Sequence, residues 1–556
     1  MLGLSACGGR GAVGDPCTAN KDCSGGLGCG ADPFPGGYCT VDCSAQSCPS
    51  GVCTPIAGAS LCLKACTSGS DCRDGYQCWM GACTLPCAGD GDCGTGAQCL
   101  DGACTPFSGA PLGAACAVST DCSSRVCLNG ACAEGCTRDL GCPDGQTCTL
   151  NASASTLEPT CVPRRATAAP GAACASDADC DRGSCQLGLC VELCVTNPDC
   201  PSGMTCNQLV APLASGATPG YQGCLPTTGT IAVEADSFGS LPVPQTAQSM
   251  TIYARLQPFD FNNVVGVLAL SDPAGQMVYT QPTSIDAFYA LPVRYQPAES
   301  SSAMLVPNSP AVAMAPGAWP FTVGSEKLAA IAHTTLYFKL APQPIASGTV
   351  DLNFYLTDLS GSCAPLTVAS APGQLAQVVT ELKQIYGQVN VNIGNVTWHG
   401  ANGAMNTVQI QAQDNQPMFP DLDNVLQAAT ANQPTTAGLD VVLLRSITSN
   451  STAGQILGVA GGIPGSPVLG TPHSGAVVSI AAYCSSADLL AATIAHEVGH
   501  TLGLFHNVEQ DGHTDPLTDT KADGNNNLMY WLEGDTSNHH LSLEQGQVLR
   551  NDPKVH

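Results

Sequence analysis

Residues 496–506 read His-Glu-Val-Gly-His-Thr-Leu-Gly-Leu-Phe-His, a run of the form His-Glu-x-x-His-x-x-Gly-x-x-His. Histidines four apart lie one turn apart on a helix, so His496 and His500 can direct their ring nitrogens at one ion. Gly503 lacks a Cβ and can take the left-handed conformation that ends a helix, which lets the chain turn and bring back His506 as a third ligand. Three neutral imidazoles around Zn²⁺ leave a coordination position for water, the arrangement of a catalytic site and not of a structural one. A carboxylate beside that water can take its proton during attack on a carbonyl, and Glu497 stands where such a base is needed. The chemistry this set implies is peptide-bond hydrolysis without a covalent intermediate.

A helix must carry these residues. Ser485 is placed to cap it, Asp488 stands in its first turn, and Leu490, Ile494, Val498 and Leu502 recur every four residues as an apolar stripe distinct from the histidines. Ahead of it, residues 348–556 read as strand (Val350 to Leu356), helix (Leu375 to Tyr386) and strands at Val389 to Val396, Leu439 to Leu444 and Val477 to Ala482. That order predicts an α+β domain whose sheet precedes its active-site helix.

HEVGHTLGLFH resembles the zinc signature of the metzincin metallopeptidases, and Asn527-Leu528-Met529-Tyr530 resembles their methionine turn. The resemblance covers about residues 348–556. It implies that Met529 floors the metal site without ligating it, and that substrate lies as an extended strand along an edge strand, here within Leu457 to Pro464. Asp519-Thr520 and a terminal helix near Leu541 with Gln545 and Gln547 are similar to pappalysin-like members. Some branches place a tyrosine ligand two residues after the methionine; that position is Trp531, so no tyrosine ligand is expected. Between His506 and Met529, the carboxylates of Asp511, Asp515, Asp519 and Asp523 form a polar loop. Asp515 and Asp519 are the first candidates for a calcium ion, against the plainer reading of a solvated acidic loop.

The rest of the chain is of another kind. Of 35 cysteines, 32 lie between Cys17 and Cys224 in eight units of four, beginning at Cys17, Cys43, Cys66, Cys87, Cys116, Cys136, Cys174 and Cys194. Gly, Asp, Ser and Pro fill the gaps, so each unit is expected to be stapled by disulfides, with three connectivities open. Residues 228–346 show alternation in Thr251 to Leu256, Val264 to Leu270 and Thr335 to Leu340, which predicts a jelly-roll-like β-sandwich. The expected architecture is therefore a multidomain chain: residues 1–15 as signal remnant and linker, 16–226 cysteine-rich, 228–346 β-sandwich and 348–556 metzincin-like.

Cys363 and Cys484, the only cysteines of the last region, are expected to pair with each other. Leu4-Ser5-Ala6-Cys7 resembles the lipobox of bacterial lipoproteins, which would make Cys7 a lipid attachment; the alternative is an ordinary thiol. So many cysteines place the chain in an oxidising, extracellular or cell-surface setting. The net charge of −26 argues against nucleic acid as a partner, and no apolar run is long enough to span a bilayer as a helix. The expected partners are protein or peptide substrates. The rival reading is a surface adhesion or scaffold protein with a vestigial peptidase domain.

Overall fold

The computed structural model describes residues 11–556 apart from scattered short segments, chiefly 88–96, much of 107–145, 209–221, 431–437, 450–455 and 533–538. Cys7 lies outside the described residues. The chain divides into two compact units, Met1–Leu225 and Pro226–His556.

In the first unit, six of the four-cysteine groups show both of their bonds, and each joins first to third and second to fourth, as in Cys17–Cys29 with Cys23–Cys39 and Cys174–Cys185 with Cys180–Cys190. The third and fourth cysteines face each other across a short hairpin, Cys29 opposite Cys39 and Cys185 opposite Cys190, so the two bonds pin both strands. In four of these groups an aspartate precedes the second cysteine and orders the opening turn. Asp22, Asp71, Asp179 and Asp199 each accept two backbone N–H groups from residues three and four earlier. Those bonds favour the ionised form, and Asp71 is lowered to about 2.

The second unit begins with two antiparallel sheets. One orders the strands Gly229–Ala235, Ala332–Leu340, Ala247–Leu256 and Ser301–Val306; the other runs from Phe238–Val243 through Gly317–Ser325 and Val264–Ser271 to Met277–Thr280. Trp319, Phe321 and Val323 alternate inward along one strand, the period of a sheet with one face covered. Ser301–Val306 is buried throughout, as a strand covered on both faces must be. One cover is the region that follows: Leu305 belongs to the same apolar core as the zinc-motif helix.

Residues 348–556 form a five-stranded sheet in the order Val391–Gly400, Gly348–Leu356, Leu439–Leu444, Gly475–Ser479 and Gly458–Ala460. The first four strands are parallel and the last runs antiparallel at the edge. Val350, Leu352, Phe354, Leu439, Val441 and Leu443 pack one face against the helices Ala376–Gly387 and Ala487–Thr501. The other face, with Tyr355, Val442 and Val477, is covered by Leu422, Val425, Leu426 and Ala429 of the helix Pro420–Thr430. This helix and the strands Thr407–Gln413 and Gln416–Met418 are additions to the expected strand order. The chain as a whole is mostly β with few helices, behind a disulfide-rich leading region.

Asp440 is buried in the second strand pairing of this sheet, where its Oδ1 accepts from Asn353 Nδ2 at 3.2 Å and its Oδ2 has no hydrogen-bond partner. Desolvation raises its pKa to about 7. A carboxyl whose folded pKa exceeds its unfolded value stabilises the fold most fully below the unfolded pKa, near 4, and loses that contribution as pH rises through 7. Asp440→Asn should therefore melt higher than wild type at pH 8.5, by an amount on the order of 2–3 kcal/mol, with the difference shrinking towards pH 5. Melting curves that run parallel from pH 5 to 8.5 would contradict this.

Candidate active site

The helix Ala487–Thr501 begins one residue later than the sequence suggests: Ser485 ends a preceding turn of helix, and Ser486 is the cap, accepting from Leu489 N at 3.0 Å. Leu490, Ile494, Val498 and Leu502 are fully buried in the core, which fixes the helix's rotation about its axis. His496, Glu497 and His500 then face away from that stripe. Gly503, at φ +102°, lets the chain leave the helix and approach Leu305 too closely for a larger side chain to be neutral.

Three ring nitrogens converge. His496 Nε2 and His500 Nε2 each lie 3.2 Å from His506 Nε2. Each ring presents its other nitrogen to an acceptor: His496 Nδ1 to Leu528 O at 2.8 Å, His500 Nδ1 to Leu504 O at 2.7 Å, and His506 Nδ1 to Glu509 Oε2 at 2.8 Å. Those acceptors assign the ring protons to Nδ1, so three Nε2 lone pairs point at one place with no proton between them. Lone pairs so arranged repel unless a cation stands among them. Zinc–nitrogen bonds of about 2.0–2.1 Å at tetrahedral angles would separate the nitrogens by roughly 3.3 Å, so the donor set fits the ion. Burial and the neighbouring rings also hold two of the imidazoles neutral, with His496 lowered to about 3 and His500 lowered well below its ordinary value.

Met529 is fully buried, and a Cβ added at Gly499 would lie 2.8 Å from its sulfur, so the thioether packs directly beneath the helix beside His500. Its turn is held by Asn527, whose Oδ1 accepts from Met529 N at 2.9 Å and from Gln545 Nε2 at 2.9 Å, while Asn527 Nδ2 donates to Gln545 Oε1. Gln545 belongs to the helix Leu543–Asn551, which starts two residues after Leu541 with Ser542 as its cap. Gln547 sits on the same helix and donates to Asn551 Oδ1. Trp531 and Tyr530 follow the methionine at the surface, half-buried.

Asp515 and Asp519 have partners within the chain. Asp515 Oδ1 accepts from Thr520 Oγ1 at 2.6 Å and Leu517 N at 3.2 Å, and Asp519 Oδ2 accepts from Glu544 N at 3.0 Å in the first turn of the last helix. Cys363 is bonded to Cys484, with Cα atoms 5.8 Å apart, which ties the loop after the strand Gly348–Leu356 to the turn before the zinc-motif helix.

The edge strand Gly458–Ala460 lies against Glu497. A Cβ at Gly458 would fall 2.5 Å from Glu497 Cγ and 2.7 Å from its Oε1, so only glycine leaves room for the carboxylate. Nothing in the local sequence marks this glycine, because the contact spans 39 positions. Gly458→Ala should push the carboxylate aside and cut turnover at least about tenfold, while zinc content stays near one per chain. Unchanged turnover in the variant would show that the carboxylate has space to spare.

His473 is buried at φ +66°, with Nδ1 against Gly461 O and Nε2 2.8 Å from Glu299 O, and so fixes the loop behind the edge strand. His513 pairs with Asp511 and Asp286, and His540 with Asp523. Thr397 Oγ1 bonds His399 Nε2 at 2.8 Å.

Comparison with known proteins bears on residues 404–510, which match the dual-action HEIGH metallo-peptidase family; this chain reads His496-Glu497-Val498-Gly499-His500 across the run that the name spells. Two solved structures are similar at low identity. Metalloproteinase-II from Bacteroides fragilis is 16% identical over 39% of this chain and 62% of that one, with a TM-score of 0.24. A protein of Bacillus subtilis is 12% identical over 38% and 49%, with a TM-score of 0.13. The chain thus spans less than two thirds of either structure. No curated protein matches. The family match, which spans the helix with His496 and His500 and the turn that brings back His506, supports a zinc metallopeptidase.

Proposed function

We propose that this protein is an extracellular zinc-dependent endopeptidase of metzincin type. The observation that carries the reading is the convergence of the Nε2 atoms of His496, His500 and His506 with all three Nδ1 atoms engaged elsewhere. Bound there, zinc would polarise a scissile carbonyl and lower the pKa of a water towards roughly 7. The chain supplies the rest. Glu497, nearly buried between the helix and the edge strand, takes the proton of the attacking water on its carboxylate and returns it to the leaving amine. The strand Gly458–Ala460, which among the described residues lies at the edge of the sheet, would receive an extended peptide as a further strand. Met529 gives the site an apolar floor that resists collapse of the rings onto one another.

Zinc is the only cofactor this reading requires. No helix among the described residues is long and apolar enough to cross a membrane, and the disulfide array suits an oxidising compartment. Lipid attachment at Cys7 is a further part of the proposal. Purified protein should contain one zinc per chain and cleave casein or a quenched peptide library. Removal of the metal by a chelator should abolish cleavage by at least about a hundredfold, with recovery on adding zinc back. Metal-free protein that cleaves as fast as the holoprotein ends the proposal.

A further inference from the structure

The edge strand Gly458–Ala460 is three residues long and pairs, among the described residues, on one side only, so whatever holds its far end governs how straight it lies. Gly461 continues the pairing, its N–H donating to Gly475 O at 2.7 Å, and the chain then leaves in a loop that returns at the strand Gly475–Ser479. His473 stands near the close of that loop, 4% exposed and at φ +66°, a backbone conformation that bulky side chains rarely adopt. A glycine would take it at no cost, so the ring itself is what the position supplies. That ring stands between two backbone carbonyls. Gly461 O, at the end of the edge strand, meets Nδ1; Glu299 O, 2.8 Å from Nε2, belongs to the strand Ala298–Glu299, which pairs with Val264 and Val265 of the upstream sheet. The approach is close: a Cβ on Gly461 would fall 2.7 Å from His473 Cα. The rest of the loop is fastened at the same place. Ser466 N donates to His473 O at 2.6 Å, Gly465 N to Thr501 O at 3.0 Å at the end of the zinc-motif helix, and Gln296 N of the upstream region to Ile463 O at 3.1 Å.

We propose that His473 is a positioning residue for substrate, which ties the far end of the edge strand to the upstream sheet and so sets the affinity for peptide residues remote from the cleaved bond. Geometry gives the reach. Gly458 lies against Glu497, and Gly461 is three residues further along, roughly 10 Å at the rise of an extended chain. A peptide paired with this strand therefore comes level with Gly461 at about its third residue from the cleaved bond. The substrate class is an extended peptide with at least that many residues on one side, and shorter chains pass the pinned end by. His473 touches neither substrate nor metal and acts through Gly461. The inference rests on the zinc peptidase and the substrate-binding edge strand proposed above.

The test uses the full-length holoprotein and quenched peptides that share one cleaved pair and carry either one or four residues on each side of it in turn. In the wild type, lengthening on the side that lies along the strand should raise kcat/KM by about 10-fold, chiefly through KM. His473→Asn keeps a residue that accepts the left-handed backbone but is too short to span both carbonyls. In this variant the gain from lengthening on that side should fall below about 3-fold, while the gain on the other side matches the wild type and zinc stays at one per chain. The ratio of long to short peptide within each protein is the readout, because a loss of folded protein lowers both rates together and leaves the ratio where it was. An unchanged ratio in His473→Asn overturns the inference, as does a wild type that gains nothing from length on either side. Should His473→Asn fail to fold, His473→Gln is read in the same way; if neither variant folds with zinc, His473 serves the fold alone and the inference falls. A zinc-loaded wild type that cleaves none of the peptides, in a library as well as in this series, fails the proposed function itself.

Discussion

Glu497→Ala is expected to leave one zinc per chain in place and to slow peptide cleavage by roughly 10³-fold or more. Two features of the structure separate metal binding from turnover at this residue. The three imidazoles are oriented by Leu528 O, Leu504 O and Glu509, none of which touches Glu497 through a bond described above, so their convergence survives the change. The carboxylate itself is pressed between the helix and the edge strand at Gly458, a position of use for meeting water and substrate and of no use for ligating the ion through the rings. Zinc content by atomic emission and cleavage rate measured on one preparation decide the matter. A variant that turns over near the wild-type rate would remove Glu497 from the mechanism, and one that loses zinc would make it a structural residue.

The second large effect concerns the fold. A fragment of residues 348–556 carries every residue of the zinc site, yet it is expected not to fold cooperatively, whereas residues 226–556 should. Lys339, buried in the upstream sheet, donates to the carbonyls of Arg550, Asp552 and Val555 and so closes the C-terminus of the chain. Ser249 Oγ donates to Asn551 O at 2.5 Å, Asn551 Nδ2 to Pro307 O at 3.2 Å and Arg550 Nε to Ile345 O at 2.9 Å. Leu305 fills the core behind the end of the zinc-motif helix. Cutting at residue 347 strands the carbonyls of Arg550, Asn551, Asp552 and Val555, takes the acceptors of Asn551 Nδ2 and Arg550 Nε, and exposes apolar surface at once. Each buried carbonyl left without a donor costs about 1–3 kcal/mol, and a lost buried leucine a further 2–5, which together rival the whole stability of a domain. Calorimetry of both fragments is the measurement. A sharp, reversible transition for 348–556 at the temperature seen for 226–556 would show that the upstream sheets are dispensable.

The zinc helix was open to a reading from sequence because its chemistry is local. His496, His500 and His506 are set by helix geometry and one glycine, and the stripe from Leu490 to Leu502 by helical period. The cap is off by one because Ser485 and Ser486 are adjacent and both suit the role; the short helix Ala481–Ser485 decides between them. The strand Thr407–Gln413 and the helix Pro420–Thr430 do carry legible periods, in Val408 and Ile410 and in Leu422, Val425, Leu426 and Ala429, but glutamine-rich surroundings mask them. The cysteine spacing defines the repeat without choosing its pairing, since hairpin register and not spacing places the third cysteine opposite the fourth. Gly458 lies beyond any local signal, because Glu497 meets it only when the edge strand packs beside the zinc-motif helix.

A protein with the proposed activity is exposed to its own kind of attack, and the interleaved bonding of the leading units bears on how it endures. With first joined to third and second to fourth, a single backbone cut anywhere inside a unit leaves both fragments linked, as Cys17–Cys29 and Cys23–Cys39 show. Separation requires a cut between units; most connectors hold three residues, and Val191, Glu192 and Leu193 between Cys190 and Cys194 are all buried, whereas 105–115 and 162–173 are longer. A molecule clipped inside such a unit therefore travels as one piece until a reductant is added.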